Sequence, residues 1–409
     1  MKILVISQVF WPDSASVSQH LTDLAEDLVE RGHAVQVISS RRGYENPSVR
    51  YEKEEVHKGV RIRRIWQTGF GKKSVLGRVL DFLSFNSVLA LKLIGIRARE
   101  YDLLIGLTVP PLISFSGILA ARAKGMKYFY WAMDLQPELS IATGYLKPGS
   151  IAANALSSLG NFIYKRADRV LVLDSYMAEH IVRRGAERSR IAVVPVWPVM
   201  EKVFEGARLE NPFRREHGIG DKIVVMYSGN HSVVHPLDTV LQAALRLKED
   251  PRFLFLFVGG GVRKLDVKRF KGDHGLDNIR QLPYQDRDKI HFSLGAGDLH
   301  LVILGERCTG YTHPNKVYGA MFIGRPILYI GPRPSHITDI LDSRPGNIQV
   351  EHGQTDRLVR ELHAFASAGE EGWKRIGSEN REHARSCFSR EKLVGRIIEI
   401  IEGMSAERN

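Results

Sequence analysis

The sequence predicts an α/β protein built from two doubly wound domains. Three observations carry this. The two halves open alike, each with a continuous apolar run, a polar loop and an amphipathic helix. Strand-like apolar runs then alternate with helical stretches, the pattern of parallel sheets covered by helices. Finally, 409 residues exceed what one hydrophobic core usually holds.

The first half begins with "KILVISQVF", an unbroken apolar run suited to a parallel strand buried on both faces. The polar loop "WPDSAS" follows. Val17, Leu21, Leu24, Ala25 and Leu28 then recur at helical spacing. Gly32 stops that helix, and "AVQVISS" completes a βαβ unit. Further strands are expected at "DLLIGLT", "KYFYWAMD", "RVLVLDS" and "IAVVPV".

The second half repeats the design. "KIVVMYSGN" leads through "HSVVHP" to a helix holding Leu237, Val240, Leu241 and Leu245, then to "FLFLFVGG". Strands are expected at "NIRQLPY", "LHLVILG", "RPILYIG" and "NIQVE". The boundary falls in the charged, irregular "PVMEKVFEGARLENPFRREHG". The expected division is residues 1–203, residues 204–385, and an amphipathic helix in 386–409 that returns toward the first domain. Ligands of such sheets bind outside the carboxyl ends of the strands, so a cleft between two such edges is the expected site.

Composition narrows the function. At 44% hydrophobic and 25% charged, the chain has an ordinary soluble balance. Cys308 and Cys387 make no disulfide framework and no zinc spacing, so a reducing cytoplasm is expected. The N-terminus lacks a signal-peptide pattern. No stretch reaches the roughly 20 apolar residues needed to span a bilayer.

The net charge of +12 is unevenly spread: residues 51–100 hold 11 Lys+Arg against 5 Asp+Glu. No helix-turn-helix, RRM or zinc-finger pattern supports nucleic acid as the partner. "KKSVLGRVLDFLSFNSVLALKLIGIRARE" interleaves basic and large apolar residues, which fits an anionic membrane surface. A long core-packed helix with basic ends is the alternative. The expectation is a cytoplasmic protein, peripheral on the inner face of the membrane.

Several chemistries are disfavoured. Where a dinucleotide fingerprint would need glycines, the chain has "SQVFWPDS"; "VGGGVRK" has the wrong spacing, and there is no Walker lysine motif. No cofactor is expected. Asp286-Arg287-Asp288 matches the D-x-D pattern that can hold a metal on a sugar nucleotide, but its charged setting reads as a solvated helix start. No metal is expected.

Three strand-end segments carry candidate residues. "YWAMDLQPE" places Asp134 and Glu138 just past an apolar strand, where Asp134 is suited to accept a hydroxyl proton or, more plainly, to cap a helix. "SGNHSVVH" offers Gly229 for close backbone approach, with Asn230, His231 and His235 beside it. "GYTHPNKVYGAMFIGRP" supplies Thr312, a short helix that Asn315 either caps or begins, and the point charge of Lys316. Helix N–H groups and a lysine favour phosphate; an ordinary βαβ crossover is the alternative. Arg263 and Lys264, after another strand, are weaker phosphate candidates.

These segments, with "ILVISQVFWPD", "DLQPE", "YSGN", "PNKVYGAMFIGRPIL" and the tail "NREHARSCFSREKLV", resemble the GT-B-fold retaining glycosyltransferases of the family 4 type. The likeness runs along nearly the whole chain and is nearest to bacterial transferases of capsule, O-antigen and exopolysaccharide assembly. It implies two Rossmann-like domains, the first for the acceptor and the second for a UDP- or GDP-sugar. It further implies transfer with retention, without metal, to a lipid-linked or oligosaccharide acceptor. Asp134 and Glu138 would then face acceptor or sugar. Gly229, Asn230, His235, Arg263, Lys264, Thr312, Asn315 and Lys316 would line the donor site.

The chain departs from the family in two respects: where members often place an Arg and a Lys after the first strand of the second domain, it has Asn230, His231 and His235, and a glutamate pair is missing. Many members carry two glutamates eight positions apart near the donor loop, one toward the sugar and one on the ribose. Here those positions hold Tyr311 and Gly319. A GT-B-fold nucleotide-sugar epimerase and a non-catalytic GT-B scaffold subunit therefore stand as alternatives.

Overall fold

The computed structural model describes residues 1–44, 46–71, 75–111, 113–200 and 202–406. Residues 72–74, the basic start of the amphipathic segment, lie outside them. The chain forms two compact units. One comprises Met1–Val199, Gly310–His313 and Arg390–Asn409; the other comprises Met200–Thr309 and Pro314–Ser389.

The first unit holds β1 (Lys2–Ile6), α1 (Ser16–Glu30), β2 (Ala34–Ser40), β3 (Glu54–His57), β4 (Val60–Ile65), α2 (Val75–Ile94) and β5 (Leu103–Gly106). It continues through α3 (Ile113–Lys124), β6 (Lys127–Ala132), α4 (Glu138–Ala142), α5 (Ile151–Arg166), β7 (Arg169–Val172), α6 (Ser175–Arg183) and β8 (Ile191–Val193). The strand order is β3-β4-β2-β1-β5-β6-β7-β8. All neighbours are parallel except β3 and β4. The order reverses beside β1, which sets the switch point between β1 and β5.

The β3–β4 hairpin is absent from the strands expected above. "EEVHKGVRIRRI" is dominated by charge, and at this edge of the sheet β4 alternates buried and exposed residues instead of running apolar. Its two-residue turn places both Lys58 (φ 42°) and Gly59 (φ 81°) in the left-handed region, as tight hairpin turns require.

The second unit holds α7 (Pro212–Glu216), β9 (Ile223–Ser228), α8 (Asp238–Arg246), β10 (Phe253–Val258), α9 (Lys264–His274), β11 (Ile279–Leu282) and α10 (Ile290–Gly295). Then come β12 (Leu299–Ile303), α11 (Lys316–Phe322), β13 (Ile327–Ile330), α12 (His336–Leu341), β14 (Ile348–Val350) and α13 (Thr355–Cys387), which is broken at Gly369. Its parallel strands run in the order β11-β10-β9-β12-β13-β14, with the switch point between β9 and β12. β10 shows why its sequence is apolar throughout. Phe253, Phe255 and Phe257 enter one core, and Leu254, Leu256 and Val258 enter another, so both faces of the strand are covered.

The last helix, α14 (Arg390–Ala406), belongs to the first unit. Its first residue, Arg390, pairs with Asp23 of α1 at 3.2 Å. The other oxygen of Asp23 accepts the Trp197 indole N–H at 2.7 Å. One carboxylate therefore ties down the segment near Val199 where the chain first leaves this unit and the one at Arg390 where it finally returns. Among the described residues no helix is long and apolar enough to cross a membrane.

Candidate functional site

In the second unit the candidate residues gather at the carboxyl ends of β9, β10 and β12. Gly229 (φ 122°) and Gly259 (φ 128°) turn the chain just past β9 and β10. A Cβ on Gly259 would lie 2.1 Å from the carbonyl oxygen of Gly229, so the two loops interlock through backbone alone. The His231 N–H donates to the Gly260 carbonyl at 2.6 Å, and the Arg263 N–H donates to that of His231 at 3.0 Å. His231 is buried, which pushes its imidazole down to about 4.

His235 reaches across to β12. Its Nδ1 hydrogen-bonds the Ile303 carbonyl at 2.6 Å, which makes Nδ1 the protonated nitrogen and leaves Nε2 an acceptor. Burial, reinforced by the charge of Lys316, holds this imidazole well below its ordinary range. The ring is neutral.

Lys316 opens α11, and its Nζ lies 3.4 Å from Nε2 of His235 and 5.0 Å from the Tyr227 ring centroid. A Cβ on Gly229 would sit 3.0 Å from Lys316 Cε, so the glycine leaves room for this approach. Among the described residues, no carboxylate lies within ion-pair distance of Lys316. Desolvation pushes its ammonium down to about 8. The result is an unbalanced positive charge at the switch point, enclosed by a neutral imidazole, an aromatic face and backbone.

α11 has seven residues, and Asn315 stands at the N-cap position in helical conformation without a side-chain cap bond. Of the two roles read from the sequence, Asn315 therefore begins the helix and does not cap it, because a cap needs extended geometry.

The weaker candidates are internally engaged. Lys264 Nζ donates to the carbonyls of Gly259 (2.8 Å) and Leu282 (3.1 Å), closing two strand ends. Arg263 pairs with Asp266 at 3.5 Å. Asn230 is exposed, and its carbonyl accepts the Tyr227 hydroxyl at 2.7 Å. Asp286 and Asp288 are exposed around a short 3-10 turn, the solvated setting read from the sequence.

The first unit has its own polar set at its strand ends. Asp134 lies two residues past β6. Its carboxylate accepts the Thr312 hydroxyl at 2.6 Å, and the Leu135 N–H donates to the Tyr311 carbonyl at 2.8 Å. Burial pushes Asp134 up to about 6 against the opposing hydrogen bond from Thr312. Glu138 opens α4 and is buried between His180 (3.3 Å) and Arg184 (3.4 Å). Burial raises its carboxyl, but the nearby His180 and Arg184 outweigh this and hold it below its ordinary value. The His180 ring also meets Tyr311 edge-on at 4.9 Å.

Two residues join this set without having been singled out in the sequence. Asp174 accepts the Met177 N–H at 2.8 Å, capping α6, and takes a hydrogen bond from His313 Nδ1 at 2.8 Å. A signal for Asp174 existed: it stands two residues past β7, as Asp134 does past β6. His313 carried none beyond its place in a polar loop.

Comparison with known proteins agrees with this architecture. Residues 17–197 match the glycosyl transferase 4-like domain. The putative colanic acid biosynthesis glycosyl transferase WcaI of Escherichia coli (strain K12) is 24% identical over 420 residues, covering 98% of this chain and 100% of that one. The probable glycosyltransferase WbjE of Pseudomonas aeruginosa is 30% identical over 250 residues, 60% of this chain and 61% of that one. In fold, Anabaena Alr3699/HepE, solved with UDP and glucose, superposes with a TM-score of 0.74 at 14% identity, covering 98% of this chain and 100% of that one. The chain carries a glycosyl transferase 4-like domain at residues 17–197 and is similar along nearly its whole length to a glycosyltransferase named for polysaccharide biosynthesis, in the two-domain fold it shares with HepE.

Proposed function

We propose that the enzyme moves a sugar from a UDP- or GDP-sugar to a lipid-linked or oligosaccharide acceptor during assembly of a cell-surface polysaccharide. The donor reading is carried by the unbalanced Lys316 cation at the switch point of the second sheet, the place where such sheets take ligands. Supporting it, the fold neighbour HepE was solved with UDP and glucose, and the Escherichia coli relative is named for colanic acid biosynthesis.

The chemistry follows from charge. As the sugar C1–O bond to the diphosphate breaks, negative charge builds on the departing oxygen. Lys316 stabilises it in place of a divalent cation. The bond to the acceptor hydroxyl forms at C1 with retention of configuration. Asp134, raised to about 6 and steadied by Thr312, is suited to receive that hydroxyl's proton. Asn230, Asn315, Arg263 and Lys264 surround the donor, and Glu138 shapes the wall beside Asp134. A lipid-linked acceptor places the reaction on the inner face of an anionic membrane.

The test is release of nucleoside diphosphate from a panel of UDP- and GDP-sugars with EDTA present and acceptor supplied as membrane lipid extract. One donor should turn over, and Lys316→Ala should abolish its turnover. Absence of release from every donor overturns the transfer reading, and release that requires added metal overturns metal independence.

A further inference from the structure

We infer that the outer face of α2 is a docking surface for an anionic phospholipid bilayer. This extends the reading of a membrane-resident acceptor, and its test uses no nucleotide sugar, so either can fail alone.

The helix carries large apolar side chains on two opposite sides, yet only one of these sides is covered. Phe85, Leu89 and Leu93 are buried against the unit. On the opposite side Leu76, Leu91 and Ile94 are each 69% exposed and Leu83 is 58% exposed, with Val79 and Leu80 beside them. At about 100° per residue these six fall within an arc of roughly 120°. Single exposed leucines are ordinary, but a continuous stripe along five turns marks an interaction surface.

Its surroundings identify the partner. The loop before the helix carries exposed Trp66 and Phe70. Asp81 of α2 pins that loop, accepting the Thr68 hydroxyl at 2.7 Å, the Phe70 N–H at 3.1 Å and the Gly71 N–H at 2.8 Å. Exposed Tyr145 lies beside the first turn, its ring 5.5 Å from the Arg78 guanidinium. Aromatic side chains with a polar edge suit the headgroup level.

Charge decides between a membrane and a second copy of the chain. Residues 66–99 contain six Lys and Arg against one acid, Asp81, which is buried and hydrogen-bonded within the unit. Lys92, Arg97 and Arg99 are exposed at the end of the stripe. A twofold contact would set this basic rim against its own copy, whereas an anionic lipid surface complements it. The helix is not apolar enough to span a bilayer, so it lies in the interface with its leucines among the acyl chains.

The test is co-sedimentation of the full chain with vesicles of phosphatidylcholine alone or with about 30% phosphatidylglycerol. Binding should be at least about tenfold tighter to the anionic vesicles and weaken with added salt. Leu83→Glu combined with Leu91→Glu should reduce it at least about tenfold with an unchanged melting temperature, since both side chains are already exposed. Equal binding by the variant, no binding to anionic vesicles, or a solution dimer that the variant converts to monomer would overturn the proposal.

Discussion

The Lys316 ammonium faces Nε2 of His235 at 3.4 Å, and the other nitrogen of that ring is already committed to the Ile303 carbonyl. The histidine therefore answers the lysine with a lone pair and no charge. Among the described residues no acid lies within reach of this partly buried cation, which in the proposed reading awaits the diphosphate of the donor.

Such a site is costly in the unliganded protein. Desolvation lowers Lys316 from 10.5 to about 8. At pH 7 the group is protonated both folded and unfolded, so the full penalty, roughly 1–3 kcal/mol after allowance for partial exposure, opposes folding. It is relieved as pH rises from about 8 toward 10.5. Lys316→Met should accordingly melt a few degrees higher than wild type at pH 7, with the gap narrowing by pH 10. Parallel melting curves across that range check it.

Gly229→Ala tests the approach of backbone to lysine. The residue sits at φ 122°, and a Cβ would lie 3.0 Å from Lys316 Cε. The variant should lose roughly 1–3 kcal/mol of stability, and its affinity for the donor should fall by about tenfold as Nζ is displaced. Urea unfolding and calorimetric titration read the two effects separately.

Much of this was legible from residue order, for definite reasons. Inner strands such as β1 and β10 are covered on both faces, so they read as continuous apolar sequence. The β3–β4 hairpin was not legible because an edge strand keeps its charges. Thr312 and Asp134 were both candidates in the sequence, but their pairing was not legible: they stand 178 residues apart, and only the fold joins them. Nor does residue order disclose that Gly310–His313 join the first unit while Pro314 returns to the second. Lys264 and Lys316 look alike as strand-end lysines, yet one closes carbonyls and the other stands without an acid.

The pH dependence of kcat/KM should be bell-shaped. Asp134 must be ionised to take a proton, so activity falls as pH drops through about 6. Lys316 must be protonated to hold the diphosphate, so activity falls as pH rises through about 8. Asp134→Asn should lower kcat by at least about a hundredfold and flatten the acid limb while the alkaline limb persists.

Gly319→Glu places a carboxylate where the resemblance implies a ribose ligand. Among the described residues outside its own helix backbone and chain neighbours, a Cβ there meets Met200 Cε at 3.5 Å, an ordinary contact. Helix propensity favours the change by about 0.5 kcal/mol. The variant should fold at least as stably as wild type and bind its donor more tightly, as measured by titration with the cognate nucleoside diphosphate.

The most direct measurement is the thermal shift of the full chain with increasing UDP- and GDP-sugars, wild type beside Lys316→Ala. A ligand that binds only the folded state raises the apparent melting temperature with the logarithm of its concentration. The account predicts such a rise for one nucleotide class in wild type and its loss in the variant. An equal rise in both proteins, or none with any nucleotide sugar, would contradict the assignment of Lys316 as the diphosphate-holding cation.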